Sequence, residues 1–493
     1  MVELHPDLVG KEFDFDDFEF RTNITEFSGT DADLSTHYTR NVRILRPISS
    51  AAMDTLTEDR MAIQISLLGG IGNIHFNQSP EEQASQVERV KDYQAGFVQE
   101  PFTVSPDTPI AELLGKMQKR WYSTIFVTAD GNPHGPFIGI ITNKDFDQEL
   151  HLGRRVKDRM TPFYLEGGSK NPDFVFVLES EMPRDYDERL RHANRTLLES
   201  HHGKMPILTD DYRLDSAVFR ADIERNRMYQ YATKDARKRL RVFGAVEANL
   251  AALDRMELLA HAGVDGFVVD TAHGSTTDVA ALLKEAKKRY PGLDIVGGNV
   301  STADETRYLI ERGVDAVKVG QGVGSICTTI SAIGAGRSCQ PAAVYECAKE
   351  ALRLREKHGF IPVIADGGIK EPVHGVKVIG LGAHSFMLGG ALAGTEETPG
   401  EPFYDTDGQL KKRYRGMGSM EAMMEGGARR YSPINLADRV PEGIPTTVVY
   451  KGPLEPIFRQ FVATLSKGFF YIGGRTIEEV HRNAFARPRH SKI

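Results

Sequence analysis

The sequence predicts an α/β fold, a (β/α)8 TIM barrel interrupted by an inserted domain, and three observations carry that reading. From about residue 240 onward, short β-branched apolar runs recur, each followed by a turn and a stretch of helical period. Nearly every run ends in a glycine or a polar residue, at Asp270, Asn299, Gly320, Asp366 and Gly389. Between roughly 96 and 225 this rhythm breaks, and the chain carries two imperfect copies of a different pattern.

The elements follow in order. "RPISSAAMDTLTEDRMAIQISLLGGIGNIHFN" reads as two strands around a helix. After the interruption come "RLRVFGAVE", "GVDGFVVDTAHG", "LDIVGGNVST", "GVDAVKVGQG", "IPVIADGGIK" and "AHSFMLGGALAG". These runs are nearly continuous in apolar residues, as parallel strands covered on both faces must be, and segments such as "ADETRYLIERG" between them have helical period. A doubly wound sheet would also alternate strands and helices, but its G-x-G-x-x-G turn after the first strand is missing, and "GGIGNIHFN" lacks the spacing. Chemistry in a barrel sits at the C-terminal rim of the strands, where the polar punctuation falls. Completing eight strands requires both ends of the chain. Residues 1–95 are therefore expected to begin the barrel, 96–225 to be inserted, and 226–493 to complete it, with a flap at about 402–450.

Composition narrows the function. The 493 residues have a formal net charge of −7 and no long basic block, so no nucleic acid is expected as a partner. No apolar run approaches the roughly 18 residues of a membrane span, and the acidic start "MVELHPDLVGKEFDFDDFEF" is unlike a secretory leader. The expected location is cytoplasmic, with no membrane contact. Cys327, Cys339 and Cys347 lack C-x-x-C spacing, which argues against a disulfide scaffold or a structural zinc site. Cys347 lies at helical spacing among apolar residues and reads as core. Cys327 differs: "KVGQGVGSICTTI" surrounds it with glycines that bring backbone N–H groups close to an anion, and a helix expected to start near Ser325 would add its dipole. Such a setting stabilises a thiolate and makes Cys327 the candidate nucleophile.

Two resemblances add to this reading. The copies "EPFTVSPDTPIAELLGKMQKRWYSTIFVTADGNPHGPFIGIITNKDFD" and "FVFVLESEMPRDYDERLRHANRTLLESHHGKMPILTDDYRLDSAVFRADIE" each read strand, helix, strand, turn, strand, then a helix start at Asp145 and Asp222. The pair resembles tandem CBS modules (a Bateman domain), which implies an adenine or guanine nucleotide in the cleft between copies. Phe219 stands at the position of Thr142 in the second copy, and an inert insertion that aids assembly is the alternative. Over nearly the whole chain, "DTAHG", "GGNV", "VGSICTT", "ADGGI", "MLGGALAGTEETPGE", "YRGMGS" and "VPEGI" occur in the order and spacing of inosine-5′-monophosphate (IMP) dehydrogenase.

The second resemblance implies NAD-dependent oxidation of IMP to xanthosine monophosphate through a thioimidate on Cys327, in guanine nucleotide biosynthesis. A thiolate suits attack on the electrophilic purine C2 and later departure. The resemblance further implies that Ser325, Gly368 and Gly390 hold the 5′-phosphate and that Asp366 takes the ribose. Tyr414, Met417, Gly418 and Glu442 would surround the base, and Met53, Gly367 and Gly389 would also contact the substrate. It places the cofactor at Asp270, Asn299, Gly320 and Gly322. Thr329 would position water, and Arg430 with Tyr431, on the flap, would activate it. Backbone carbonyls of Gly322, Gly324 and Cys327 would ligate K+, and the protein would be a homotetramer or octamer.

The chain departs from the pattern at Ala51, Gln321, Val323 and Ile330, in "SAIGAGRSCQPAAV", and at its end, which stops before the stretch that completes the cation site from a neighbouring subunit. Two other functions stay open. One is GMP reductase, which deaminates GMP with NADPH; the other is a nucleotide-binding homologue without turnover.

Overall fold

The computed structural model describes residues 2–93, 97–120, 123–147, 150–424 and 440–489. It contains two compact units, one of Met1–Asp92, Tyr231–Asp235 and Leu240–Ile493, the other of Tyr93–Gln230 and Ala236–Arg239.

The first unit is the barrel. Its strands are β1 (Ile48–Ser50), β2 (Gly72–Ile74), β3 (Val242–Val246), β4 (Gly266–Asp270), β5 (Asp294–Val300), β6 (Ala316–Val319), β7 (Val363–Asp366) and β8 (Ser385–Leu388). They form one parallel eight-stranded sheet in the order β1-β8-β7-β6-β5-β4-β3-β2. The two edges meet through a parallel bridge between Ser49 and Ile71, with Ser50 N donating to Ile71 O and Ile71 N to Ile48 O, both at 3.1 Å. The bridge closes the sheet on itself and leaves no free strand edge.

Helices α1 (Asp59–Leu67), α2 (Pro80–Asp92), α3 (Ala252–His261), α4 (Thr277–Arg289), α5 (Ala303–Ile310), α6 (Gln340–Arg353), α7 (Pro372–Gly380) and α8 (Leu454–Ile472) accompany the strands. Thr276 and Thr302 start α4 and α5 by accepting the Val279 and Glu305 N–H groups, the usual work of an N-cap hydroxyl. Every residue of β3, β4 and β5 is buried, which explains why those strands read as unbroken apolar runs with no polar alternation. Cys347 is buried on α6, where burial pushes its thiol up to about 12.

A three-stranded antiparallel sheet, Phe403–Tyr404, Leu410–Arg415 and Pro445–Val449, stands at the base of the expected flap. The buried Asp54 carboxylate accepts from the Arg415 guanidinium at 2.7 Å and ties this sheet to the loop after β1. Residues 425–439 lie outside the described residues, and Arg430 and Tyr431 with them.

The second unit holds two four-stranded sheets. The first copy supplies Thr103–Val104, the helix Ile110–Arg120, Thr124–Thr128 and Phe137–Thr142. The second supplies Val177–Leu178, the helix Tyr186–Glu199, Lys204–Leu208 and Leu214–Phe219. Asp222 lies in the first turn of the helix Arg220–Met228, as the sequence suggests. Asp145 instead closes a turn, its Oδ2 accepting from Thr142 N at 2.6 Å and Thr142 Oγ1 at 2.8 Å, and no helix follows among the described residues.

Candidate active site

The C-terminal ends of the barrel strands open into a cavity of about 640 Å³. Cys327 and Thr329 line it, on the segment after β6, with Gly320, Gly322, Gly324 and Ser325. Asp270 and Asn299 reach it from β4 and β5, and Asp366, Gly367 and Gly368 from the end of β7. Met53 enters after β1 and Gly389 and Gly390 after β8, while Tyr414, Met417, Gly418 and Glu442 come from the flap base. Residues scattered over almost 400 positions of sequence thus share one space because barrel topology brings every strand end to a single rim.

The Cys327 thiol is half-buried, and its Sγ lies 3.1 Å from Thr329 Oγ1. The Thr329 hydroxyl donates to Glu442 Oε2 at 2.8 Å. A strand-like pairing sets this row: Thr328 N donates to Glu442 O at 2.9 Å and Ile444 N to Ile326 O at 3.1 Å, so Cys327 and Gly443 face one another. The result is a path of sulfur, hydroxyl and carboxylate along which a proton can pass. Glu442 was expected beside the base; its bond to Thr329 follows from a register between loops more than a hundred residues apart, which no local pattern signals.

A second group was missed altogether. Lys318 on β6 is 1% exposed, and its Nζ donates to Asp270 Oδ1 at 3.2 Å, to Asp366 Oδ2 at 2.7 Å and to Asn299 Oδ1. The Asn299 amide in turn donates to Gly320 O at 2.6 Å and to Asp366 Oδ2 at 2.9 Å. All three ammonium hydrogens are used, and two carboxylates are held through one cation. The available signal was a lone charge inside the apolar run "DAVKV", since a charge is seldom buried unless it is paired.

The corner expected to hold the phosphate is built differently from the expectation. No helix begins at Ser325; the turn Thr329–Ile333 starts four residues later and spans only five residues. Instead, the N–H groups of Gly368, Gly390 and Ala391 donate to no protein acceptor among the described residues. The Ser325 hydroxyl lies beside them: a Cβ placed on Gly390 would stand 2.7 Å from Ser325 Oγ, and one on Gly389 would stand 3.1 Å from the Tyr414 hydroxyl. Two glycines are needed here because side chains would fill the space the hydroxyls overlook. Burial pushes the Tyr414 phenol up to about 12, so it stays a neutral donor at physiological pH.

The departures at Gln321, Val323 and Ile330 and in the stretch after the cysteine make specific contacts. Gln321 accepts from Ser301 Oγ at 2.7 Å and donates to Asn299 O at 3.1 Å, anchoring the cysteine segment to the loop after β5. Ile330 packs on Gly322, leaving no room there for a Cβ, and Val323 covers Gly367 in the same way. Arg337, in the altered stretch after the cysteine, donates to Ser301 O at 2.8 Å and to Glu346 and Glu12 at 2.7 Å. The segment is therefore fixed by side-chain bonds.

Comparison with known proteins agrees with this construction. The IMP dehydrogenase / GMP reductase domain family matches residues 12–491. The chain is 39% identical to inosine-5′-monophosphate dehydrogenase of Aquifex aeolicus, covering 95% of this chain and 91% of that protein. It is 38% identical to the enzyme of the same name from Toxoplasma gondii, covering 89% and 76%. Among solved structures, a GMP reductase variant of Trypanosoma brucei in complex with guanosine 5′-monophosphate superposes with a TM-score of 0.81 at 30% identity, covering 98% of this chain and 97% of that one. By its closed barrel, its cysteine segment and a match spanning nearly its full length, the chain belongs to the IMP dehydrogenase / GMP reductase family.

Proposed function

We propose that this protein oxidises IMP to xanthosine 5′-monophosphate with NAD+, in guanine nucleotide biosynthesis. The observation that carries the reading is the row Cys327 Sγ, Thr329 Oγ1 and Glu442 Oε2 at the mouth of a cavity that also presents unpaired N–H donors for a phosphate. The sulfur adds to purine C2 while its proton passes through the Thr329 hydroxyl toward Glu442. NAD+, held by Asp270, Asn299, Gly320 and Gly322, supplies the hydride acceptor for C2–H. Water then adds to the thioimidate carbon on Cys327, the C–S bond breaks, and the thiol is restored. Arg430 and Tyr431 are assigned to activating that water on the strength of the family resemblance.

The IMP ribose falls to Asp366, whose carboxylate faces Lys318 and Asn299 and does not cap its own turn. Its phosphate falls to Ser325, Gly368 and Gly390, and its base to Tyr414, Met417, Gly418 and Glu442, with Met53, Gly367 and Gly389 as further substrate contacts. K+ is assigned to the carbonyls of Gly322, Gly324 and Cys327; neutral carbonyl oxygens on a glycine turn suit a weakly hydrated cation. The inserted unit is read as a tandem CBS pair for an adenine or guanine nucleotide, and the assembly as a homotetramer or octamer. No helix among the described residues is long and apolar enough to cross a membrane; a cytoplasmic location belongs to the same proposal.

The rival reaction is reductive deamination of GMP, the activity named for the structural neighbours. Higher identity to the dehydrogenases, 35–39% against 27–30%, favours oxidation. Incubation of the protein with IMP and NAD+, or with GMP and NADPH, separates the two, with mass spectrometry of the peptide holding Cys327. Turnover and an adduct only in the first mixture are expected, with Cys327→Ala abolishing both. Turnover only in the second reverses the assignment.

A further inference from the structure

Lys451 follows the strand Pro445–Val449 and lines the cavity beside Gly390 and Ala391. Its Nζ donates to Gly390 O at 3.2 Å and to Ala391 O at 2.9 Å. No carboxylate pairs with it among the described residues, and burial alone lowers its pKa from the ordinary lysine value. Lys451 is itself exposed, so what marks it is geometry: its ammonium is held on two carbonyls of the glycine turn. Of the other lysines on the wall, Lys318 has spent its hydrogens on Asp270, Asn299 and Asp366, and Lys370, on the loop after β7, is exposed.

The contact has a direction. The Gly390 carbonyl belongs to the same peptide unit as the Ala391 N–H, one of the donors without a protein acceptor. That peptide opens a helical turn closed by the N–H groups of Leu392 and Ala393 on Gly389 O, both at 3.0 Å. A cation on the carbonyl side of a peptide polarises it and strengthens its N–H as a donor on the other side. Positive charge is thus delivered to this corner through the backbone.

We propose that Lys451 is a positioning residue for the phosphate corner. Acting through the Gly390–Ala391 peptide, it raises affinity for a dianionic 5′-phosphate and sets the preference of the cavity for nucleoside monophosphates over nucleosides. The inference rests on the reading of this corner as the phosphate subsite.

Calorimetric titration of the full chain with IMP and with inosine, without cofactor, tests both levels separately. The wild-type protein is expected to bind IMP far more tightly than inosine; equal affinities overturn the subsite reading itself. Lys451→Gln, which retains amide donors but no charge, is expected to weaken IMP binding about tenfold or more while changing inosine binding less than about twofold. Lys451→Arg is expected to keep IMP affinity within about threefold. Equal losses for IMP and inosine in Lys451→Gln, or no loss for either, overturn the role of Lys451 while leaving the subsite reading intact. Should the Gln variant not fold, the Arg variant decides: an IMP-specific loss above about tenfold counts against the proposal, and retained affinity supports it.

Discussion

Replacing Lys318 by methionine removes a buried cation while keeping most of the side-chain volume. Its ammonium is the shared partner of Asp270, 3% exposed, and of Asp366, which is bonded through the same oxygen to Asn299. Deleting one member of a buried ionic cluster costs about 3–5 kcal/mol, because the remaining charge is left uncompensated. In a folding unit of this size roughly 2 °C of midpoint accompanies each kcal/mol, so Lys318→Met should melt on the order of 6–10 °C lower. Thermal unfolding followed by circular dichroism measures this, with steady-state turnover recorded in parallel. The distinguishing variant is Lys318→Met combined with Asp270→Asn: removing the orphaned charge should restore about half or more of the lost stability while activity stays low. If the two substitutions destabilise additively, the cation does not hold the carboxylates, and the account of this cluster is wrong.

Two further outcomes are expected. His37, His384 and His481 line a second cavity of about 440 Å³ with Arg355, Glu478 and Arg482; burial lowers the pKa of each histidine, that of His384 well below its ordinary value. Each histidine is neutral in both states above pH 6.5, whereas below it the unfolded chain takes up protons that the folded one refuses. Stability should therefore fall as pH drops below about 6.5, by up to about 1.4 kcal/mol per pH unit for His384, and His384→Asn should flatten that slope in chemical denaturation. Gly320 adopts φ +147, and a Cβ there would meet Asp366 O at 1.8 Å. Gly320→Ala should displace β7 from β6 and abolish turnover, with unfolding midpoints several degrees lower; an alanine variant that remains fully active contradicts the packing described.

What could be read in the sequence and what could not divide along physical lines. Strands such as "GFVVD" and "DIVGGNV" are legible because burial on both faces demands continuous apolar character, and α5 shows itself in the helical period of "ADETRYLIERG". Cys327 stands out because glycine, cysteine and threonine crowd one short stretch. The partners of Lys318 and the Thr329–Glu442 bond are not local properties. They follow from strand register around the barrel and from the pairing of residues 326–328 with 442–444, which a linear pattern does not encode. The helix expected at Ser325 shows the converse: glycine-rich sequence permits several turn geometries, and tertiary bonds from Gln321 and Arg337 selected another.

Closure of the sheet between Ser49 and Ile71 carries a consequence for biosynthesis. The strand that fills the slot between β2 and β8 leaves the ribosome first, yet its neighbour ends at Leu388, 388 − 50 = 338 residues after Ser50. At translation speeds of about 5–20 residues per second, the opening strands wait on the order of 20–70 s for the last one. The unit of Tyr93–Gln230 and Ala236–Arg239 is complete long before then and can fold while the nascent barrel is still a set of exposed apolar strands. Chaperone occupancy during synthesis should accordingly concentrate on the flanking pieces of the barrel.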